Sequence, residues 1–325
     1  MPKKTMIQAI NETLMKEMEK DETIVLLGQD IGENGGVFRV TDGLLEKFGK
    51  DRVIDTPLAE SGIIGAAVGM SMNGLKPIAE IQFFGFVYEA MDQLASQAAR
   101  MRFKSAGRFT VPMVVRSPYG GGVRTPELHS DSLEALFSHT PGLKIVMPSN
   151  AYDAKGLLIS AIHDEDPVLF LEPMKLYRAV PMEVPDEDYR IPIGKANVVQ
   201  EGFHATIVSW GPPVLMLKKI VEQYKKENVH LELIDLRTIA PLDIQTIIKS
   251  VEKTERLLIV HEAVKTNGVG AEIAAQISEK SIFSLAAPIL RVTGYDTPYP
   301  VGTIEDDWLP NEKRIINAIE QLLSY

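Results

Sequence analysis

The sequence contains no cysteine among its 325 residues. This absence excludes a disulfide framework, a thiolate nucleophile and a cysteine-ligated zinc site. A chain without cysteine fits a reducing compartment, and we expect a cytoplasmic location.

Long apolar runs are also lacking. The longest apolar-rich stretch, residues 63–72, is too short and too rich in glycine to cross a bilayer. No apolar signal core follows Lys3 and Lys4; an amphipathic helix pattern begins there instead. We therefore expect no targeting segment and no membrane partner.

Basic residues are in the minority. The chain has 34 Lys and Arg against 44 Asp and Glu, a formal net charge of −10. Non-specific nucleic-acid binding requires clustered basic side chains that neutralise phosphates, so we expect no nucleic-acid partner. An acidic surface is better suited to a basic protein partner.

Motifs for nucleotides and zinc are incomplete. Residues 263–270 follow a predicted strand, but Ile273 stands where a dinucleotide loop needs its third glycine. The glycines at 120–122 lack a following Lys-Ser/Thr pair, so they do not form a phosphate loop. His261 and Glu262 could begin a zinc-protease motif, but its second histidine is missing. His261 is therefore only a weak candidate for a functional residue of the second half.

What is present is an alternation of short apolar strands with helical segments. Most predicted strands are apolar on both faces, which is typical of a parallel sheet covered by helices. The alternation occurs twice, and a proline-rich acidic stretch at residues 181–192 separates the two series. The sequence predicts an α/β fold of two doubly wound domains, with boundaries at 1–185 and 203–325 and a linker at 186–202.

A first candidate site is the segment of residues 55–62, between a predicted strand and helix. One interpretation is simple helix initiation, with Thr56 as the N-cap and Pro57 in the first turn. However, the acid of a capping box belongs three residues after its cap, where Ala59 stands. Glu60 instead precedes a helix that is apolar on all sides and so predicted to be buried, and a carboxylate there needs a partner or a function.

A second candidate is the segment of residues 80–86, which leaves a strand and places three phenylalanines around Gly85. Core packing is one interpretation. The other is a flat platform of aromatic rings for a heteroaromatic ligand.

A third candidate is a long loop, residues 116–132, at the carboxyl end of a strand, where open α/β sheets bind ligands. His129 lies in this loop, and the sequence predicts a helix directly after it with Ser130 or Asp131 as the cap. A helix N-terminus disfavours a protonated imidazole, so a neutral base or proton shuttle is one interpretation. A solvent-exposed loop histidine is the alternative.

These three segments, in this order, resemble the beta chain of the decarboxylating component of 2-oxo acid dehydrogenase complexes. The similarity extends from end to end and includes other segments: residues 35–38, 152–158, 171–173 and 235–238. The resemblance implies a thiamine-diphosphate pyrimidine-binding domain followed by a domain like the C-terminal domain of transketolase.

The resemblance also implies roles for single residues. Glu60 matches the glutamate that hydrogen-bonds the aminopyrimidine ring, Phe86 the ring that stacks on it, and Gln82 is placed with the cofactor as well. His129 matches the histidine that assists acyl transfer to a lipoyl group. A monovalent cation such as K⁺ would lie on the backbone of the residues at the end of one helix, namely Ala161, Ile162 and Asp164.

The implied partners are an alpha chain in an α2β2 heterotetramer and the dihydrolipoyl acyltransferase core, through its peripheral subunit-binding domain. The alpha chain would bind diphosphate and Mg²⁺, because the Gly-Asp-Gly segment that serves this purpose is absent here. The resemblance favours oxidative decarboxylation of pyruvate. The alternatives are a branched-chain 2-oxo acid, a non-catalytic tethering subunit and half of a split transketolase-like enzyme, although no basic cluster for a sugar phosphate is evident.

Overall fold

The computed structural model describes residues 2–125 and 127–325 of the chain. The first half contains strands and helices in close alternation. Its strands are β1 (Lys3–Lys4), β2 (Ile24–Gly28), β3 (Val53–Asp55), β4 (Lys76–Glu80), β5 (Val114–Tyr119), β6 (Lys144–Val146), β7 (Val168–Pro173) and β8 (Met182–Glu183). Its helices are α1 (Met6–Lys20), α2 (Leu44–Phe48), α3 (Glu60–Met72), α4 (Met101–Lys104), α5 (Glu134–Ser138) and α6 (Ala151–Ile162).

The second half repeats the alternation. Its strands are β9 (Asn197–Gln200), β10 (Ala205–Ser209), β11 (Leu231–Asp235), β12 (Thr238–Ala240), β13 (Leu257–Val264) and β14 (Leu290–Gly294). Its helices are α7 (Pro213–Lys226), α8 (Ile244–Thr254), α9 (Val269–Ser281), α10 (Glu305–Trp308) and α11 (Glu312–Leu323). None of the helices in the described ranges combines the length and the apolar character that a bilayer span requires.

Two main sheets result. Within the described residues, the first has the order β12-β6-β7-β5-β4-β2-β3 and is parallel except at β12. The second has the order β14-β13-β10-β11-β9 and is parallel except at β9. Helices cover the sheets and bury near-continuous apolar strands, as the sequence pattern predicts. The predicted α/β class with two doubly wound sheets is confirmed.

Two strands depart from the predicted division. β9 lies inside the predicted linker of residues 186–202 and pairs antiparallel with β11, so the irregular part of the linker ends before Asn197. β12 follows a strand of the second sheet yet adds to the first sheet, beside β6. Both are short strands at the edge of a sheet, and their few residues show no regular apolar pattern. They are strands because they pair with β11 and β6, and a sequence pattern does not report such pairing. The boundaries 1–185 and 203–325 stay a prediction.

The helical region between β4 and β5 is irregular. A 3₁₀ segment, Phe84–Ala90, is followed by a π segment, Asp92–Ala98, and then by α4. The prediction of α3 as a helix buried on all sides is also wrong, because Gly62, Gly65, Ala66 and Gly69 are exposed on one face. Small apolar residues do not need burial, so apolar composition alone overestimated how much of this helix is covered.

Candidate active site

The carboxyl ends of four strands meet at one edge of the first sheet. The parallel register aligns Gly28 with Asp55 and Glu80, and Glu80 with Arg116. From β2 the chain continues to β3 on one side, whereas from β4 it continues to β5 on the other. The strand order therefore reverses between β2 and β4, and ligands of open α/β sheets bind at such a reversal.

Glu60 is the first residue of α3. The N-cap is Ala59, which makes no side-chain cap, so the interpretation of Thr56 as the N-cap is wrong. Thr56 instead extends the sheet, because its N–H donates to the Gly28 carbonyl at 3.0 Å. Glu60 is 9% exposed. Its carboxylate enters none of the ion pairs or side-chain hydrogen bonds of the described ranges, so it stands available at the carboxyl edge.

Asp55 fixes the loop beside Glu60. Its carboxylate accepts hydrogen bonds from the N–H groups of Gly32 at 2.7 Å and Glu33 at 3.0 Å. A Cβ at Gly32 would lie 2.7 Å from the same carboxylate, so glycine is needed for this approach. Sequence reasoning did not assign Asp55 a role, although its place at a strand end was a usable signal.

Gln82 bridges the two sides of the strand reversal. Its Nε2 donates to Asp30 Oδ2 at 3.0 Å and to the Gln29 carbonyl at 3.3 Å, and both acceptors follow β2. The amide donors are thus used within the chain, while its Oε1 has no assigned partner in the described ranges. Gln82 ties the loop after β4 to the loop after β2.

Phe86 and His129 are brought together. Their ring centroids lie 5.1 Å apart with an interplanar angle of 79°, an edge-on contact. A third ring, Phe83, lies 4.5 Å from His129 and 5.7 Å from Phe86. The three aromatic rings form a group at the same sheet edge as Glu60, and sequence reasoning had not assigned Phe83 a role.

His129 is half-buried and belongs to a 3₁₀ turn, Glu127–His129. The helix after it, α5, begins only at Glu134 with Leu133 as its N-cap, so the predicted cap at Ser130 or Asp131 is wrong. Backbone bonds within the 3₁₀ turn compete with an earlier helix start. The expected effect of a helix N-terminus on His129 is therefore absent. The neighbouring Pro126 lies outside the described residues.

The turn that carries His129 is seated directly on the loop after β4. A Cβ at Gly85 would lie 2.1 Å from the carbonyl oxygen of Leu128. Only a residue without a side chain permits this distance, so Gly85 allows the two segments to touch through their backbones.

A buried ionic network lies beneath the aromatic group. Arg116 donates to both carboxylate oxygens of Glu172, at 2.7 and 2.9 Å, and to Glu80 at 2.8 Å. The Tyr177 hydroxyl donates to Glu172 at 2.5 Å. Burial raises the pKa of Glu80, against the opposing effect of Arg116, and burial together with Glu172 holds the pKa of Tyr177 well above its usual value. The network anchors β4, β5 and β7 under the site.

The electrostatics of the His129 turn favour a proton on a nearby acid. Burial, and secondarily the charge of Glu127, raises the pKa of Asp131 to about 6. Asp131 is therefore partly protonated near neutral pH, two residues from His129.

The predicted cation ligands lie elsewhere. Ala161 and Ile162 end α6, and Asp164 precedes β7, so they lie at the amino edge of the sheet, opposite Glu60 and His129. The Ala161 carbonyl accepts from the Asp164 N–H at 3.2 Å, and the Asp164 carboxylate pairs with Lys144 at 2.7 Å. Among residues 2–125 and 127–325, no group of three acidic or histidine side chains is placed to hold a metal. A backbone cation site stays a prediction.

His261, the candidate from the second half, is a core residue. It is 0% exposed and stacks on Trp210 at 4.9 Å, with an interplanar angle of 14°. Burial lowers the pKa of its imidazole to about 3, so the ring is neutral and does not shuttle protons near pH 7.

Comparison with known proteins identifies the family of the chain. The family "Transketolase, pyrimidine binding domain" matches residues 2–180, and "Transketolase, C-terminal domain" matches residues 194–315. The chain is 53% identical to the pyruvate dehydrogenase E1 component subunit beta of Bacillus subtilis over 325 residues, covering 100% of both chains. The chain belongs to the family of pyruvate dehydrogenase E1 beta subunits.

Other members of this E1 beta family are similar over the whole chain. The E1 component subunit beta of Staphylococcus aureus is 52% identical over 325 residues, with 100% of both chains covered. A solved structure described as a split-gene transketolase, an inactive beta4 tetramer, superposes with a TM-score of 0.80 at 20% identity, covering 98% of each chain. That likeness shows a shared fold.

Proposed function

We propose that this chain provides the pyrimidine-binding part of a thiamine-diphosphate active site and acts, with an alpha chain, in the oxidative decarboxylation of pyruvate and the reductive acylation of lipoyl groups. One observation carries the proposal. Glu60, 9% exposed and without a bonding partner in the described ranges, begins α3 at the sheet edge where Phe86 and His129 meet.

The residues present fit the coenzyme. Glu60 would accept a hydrogen bond from a ring nitrogen of the aminopyrimidine when that nitrogen carries a proton, and Phe86 would offer its ring to that heterocycle. Gln82 would keep the loop after β4 in place through Asp30. When bound, thiamine diphosphate supplies the nucleophilic carbon and the electron sink for decarboxylation.

His129 would move a proton during acyl transfer to a lipoyl sulfur. An imidazole is suited to this task because its ordinary pKa lies near neutral pH. The ring is half-buried among Phe83 and Phe86, which leaves access to the site from one side.

The site needs a second polypeptide. The sequence has no Gly-Asp-Gly segment for Mg²⁺ and diphosphate, and we propose that an alpha chain binds both. Large apolar side chains are exposed in the loops at the carboxyl edge, and such a patch is typical of a protein interface. These residues are Val37, Leu58, Tyr88 and Leu128.

The larger assembly follows from the same proposal. We expect an α2β2 heterotetramer in the cytoplasm that docks on a dihydrolipoyl acyltransferase core through its peripheral subunit-binding domain. A K⁺ ion on the backbone of Ala161, Ile162 and Asp164 is part of the proposal. The net charge of −10 supports a basic docking partner.

Coexpression with the alpha chain tests the activity. The purified assembly, supplied with thiamine diphosphate and Mg²⁺, is offered pyruvate and the branched-chain 2-oxo acids, with a dye as the electron acceptor. We expect pyruvate to have the highest kcat/KM. A higher kcat/KM for branched-chain substrates would overturn the choice of pyruvate, and the absence of decarboxylation would overturn the catalytic role.

A titration separates catalysis from tethering. The isolated subunit-binding domain of the acyltransferase is added to the chain with and without its alpha chain, and binding is followed by calorimetry. Binding together with decarboxylation supports the proposal. Binding by an assembly that cannot decarboxylate any 2-oxo acid would instead identify a tethering subunit.

A further inference from the structure

The imidazole of His129 is held by aromatic packing. Phe83 lies 4.5 Å from it at an interplanar angle of 59°, and Phe86 lies 5.1 Å away at 79°. In the described parts of the chain, no hydrogen bond from a side chain or backbone group reaches the ring nitrogens of His129. Ring contacts therefore determine where the imidazole lies.

Phe83 is itself well supported. It is 9% exposed and packs edge-on against Phe38 at 5.7 Å. Phe38 in turn lies 5.1 Å from Tyr177, whose hydroxyl donates to the buried Glu172. A continuous series of contacts thus joins the ionic network within the sheet to the imidazole ring of His129.

Phe86 has a different setting. It is half-buried, and the proposed function assigns its exposed ring surface to the coenzyme. Phe83 is the more deeply buried of the two rings that contact His129 and the one joined to Phe38. The neighbouring Phe84 lies on the opposite side of the backbone, packed on Phe137 at 5.6 Å.

We propose that Phe83 is the positioning residue of His129, which holds the imidazole in the orientation needed for proton transfer to the lipoyl sulfur. The inference rests on the proposed function of His129. Because proton transfer depends steeply on geometry, a displacement of about 1 Å costs on the order of a hundredfold in rate. Phe83 would act on acyl transfer and leave decarboxylation nearly intact.

The test uses Phe83→Leu in the assembled enzyme, with Phe84→Leu as the matched control. Both changes remove one buried ring from adjacent positions, but only the first removes a contact with His129. Two activities are compared: decarboxylation with a dye acceptor, and acylation of the free lipoyl domain. Carbethoxylation of His129 by diethyl pyrocarbonate, read by peptide mass spectrometry, reports the shielding of its ring.

For Phe83→Leu we expect the kcat of lipoyl acylation to fall by about tenfold to a hundredfold with little change in KM. Phe83→Leu also removes the edge contact with Phe86 at 5.7 Å, but Phe86 keeps its contact with His129, and Glu60 is unchanged. Dye-coupled decarboxylation should therefore stay within about threefold. His129 should react several times faster with the reagent, and Phe83→Tyr, which retains the ring, should restore both properties. If Phe83 only stabilised the fold, Phe83→Leu would lower decarboxylation and acylation together. Any loss of activity in Phe84→Leu should likewise affect both reactions equally.

Two outcomes are distinguishable. If His129 reacts at the same rate in Phe83→Leu and in Phe84→Leu, and acylation is equal, the positioning role is overturned. If His129→Gln retains acylation, the proposed role of His129 fails, and the reaction rate of the imidazole still decides whether Phe83 holds it.

Discussion

The backbone N–H of Gly121 donates a hydrogen bond to the carboxylate of Glu262 at 3.3 Å, across the boundary between the two sheets. Gly121 follows β5 of the first sheet, and Glu262 lies in β13 of the second. Glu262 is 6% exposed, and burial raises the pKa of its carboxyl to about 7. Ionisation of this group is therefore opposed by the folded structure.

Glu262→Gln should remove a pH-dependent loss of stability. The folded chain binds the Glu262 proton more tightly than the unfolded chain, so its stabilising effect is complete below about pH 4.5 and lost as pH rises through about 7. The loss amounts to about 3 kcal/mol. We expect the variant to match the native protein near pH 5 and to have a higher Tm at pH 8, measured by calorimetry. Equal Tm differences at both pH values would contradict this account.

A suitable control is Glu279→Gln. Glu279 is exposed on α9, so its removal should change Tm by the same small amount at pH 5 and pH 8. A pH-dependent effect in this control would assign the trend to overall charge rather than to burial.

Arg116→Met should destabilise the fold severely. The substitution leaves Glu80 and Glu172 buried without their counter-ion, at 7% and 0% exposure. Breaking a buried ion pair from one side costs about 3–5 kcal/mol. Denaturant unfolding should show this loss, and adding Glu80→Gln and Glu172→Gln should recover part of it. If Arg116→Met alone unfolds at the native midpoint, the network does not stabilise the sheet.

Gly85→Ala should push the 3₁₀ turn that carries His129 away from the loop after β4. The added Cβ would lie 2.1 Å from the Leu128 carbonyl oxygen, so the 3₁₀ turn must move. We expect lipoyl acylation to fall by at least about tenfold, because the imidazole moves with the turn. In Gly69→Ala the added Cβ meets no atom of the chain within 4 Å, which makes this variant the control for stability of the chain. An unchanged rate of acylation in Gly85→Ala would show that the close contact between Gly85 and Leu128 does not position His129.

Sequence patterns predicted the two sheets because apolar strands covered by helices carry a strong signal. The patterns also singled out the segments that contain Glu60, Phe86 and His129, and the resemblance to a known family selected these three residues, which the structure places at one sheet edge. The sequence patterns could not predict which distant strands pair. β9 and β12 are edge strands whose few residues have no apolar period of their own. The same limit hid Phe83, because its contact with His129 joins two loops that are separated by a complete strand.

The sequence signals for helix N-termini were less reliable than the signals for strands. Thr56 followed by Pro57 favours a helix start. However, the Thr56 N–H donates to the Gly28 carbonyl, so Thr56 extends the sheet and does not cap the helix. His129 precedes residues that are good caps, yet α5 begins at Glu134. In both places a contact made in three dimensions overrode the preference of the local sequence.

The role of Glu60 is tested most directly by Glu60→Gln in the enzyme assembled with its alpha chain, at saturating thiamine diphosphate and Mg²⁺. The control is Glu22→Gln, an exposed acid at the opposite, amino edge of the sheet. We predict that kcat for pyruvate decarboxylation falls by about 10²–10⁴-fold in the first variant and stays native in the second. Native decarboxylation by Glu60→Gln would contradict the account.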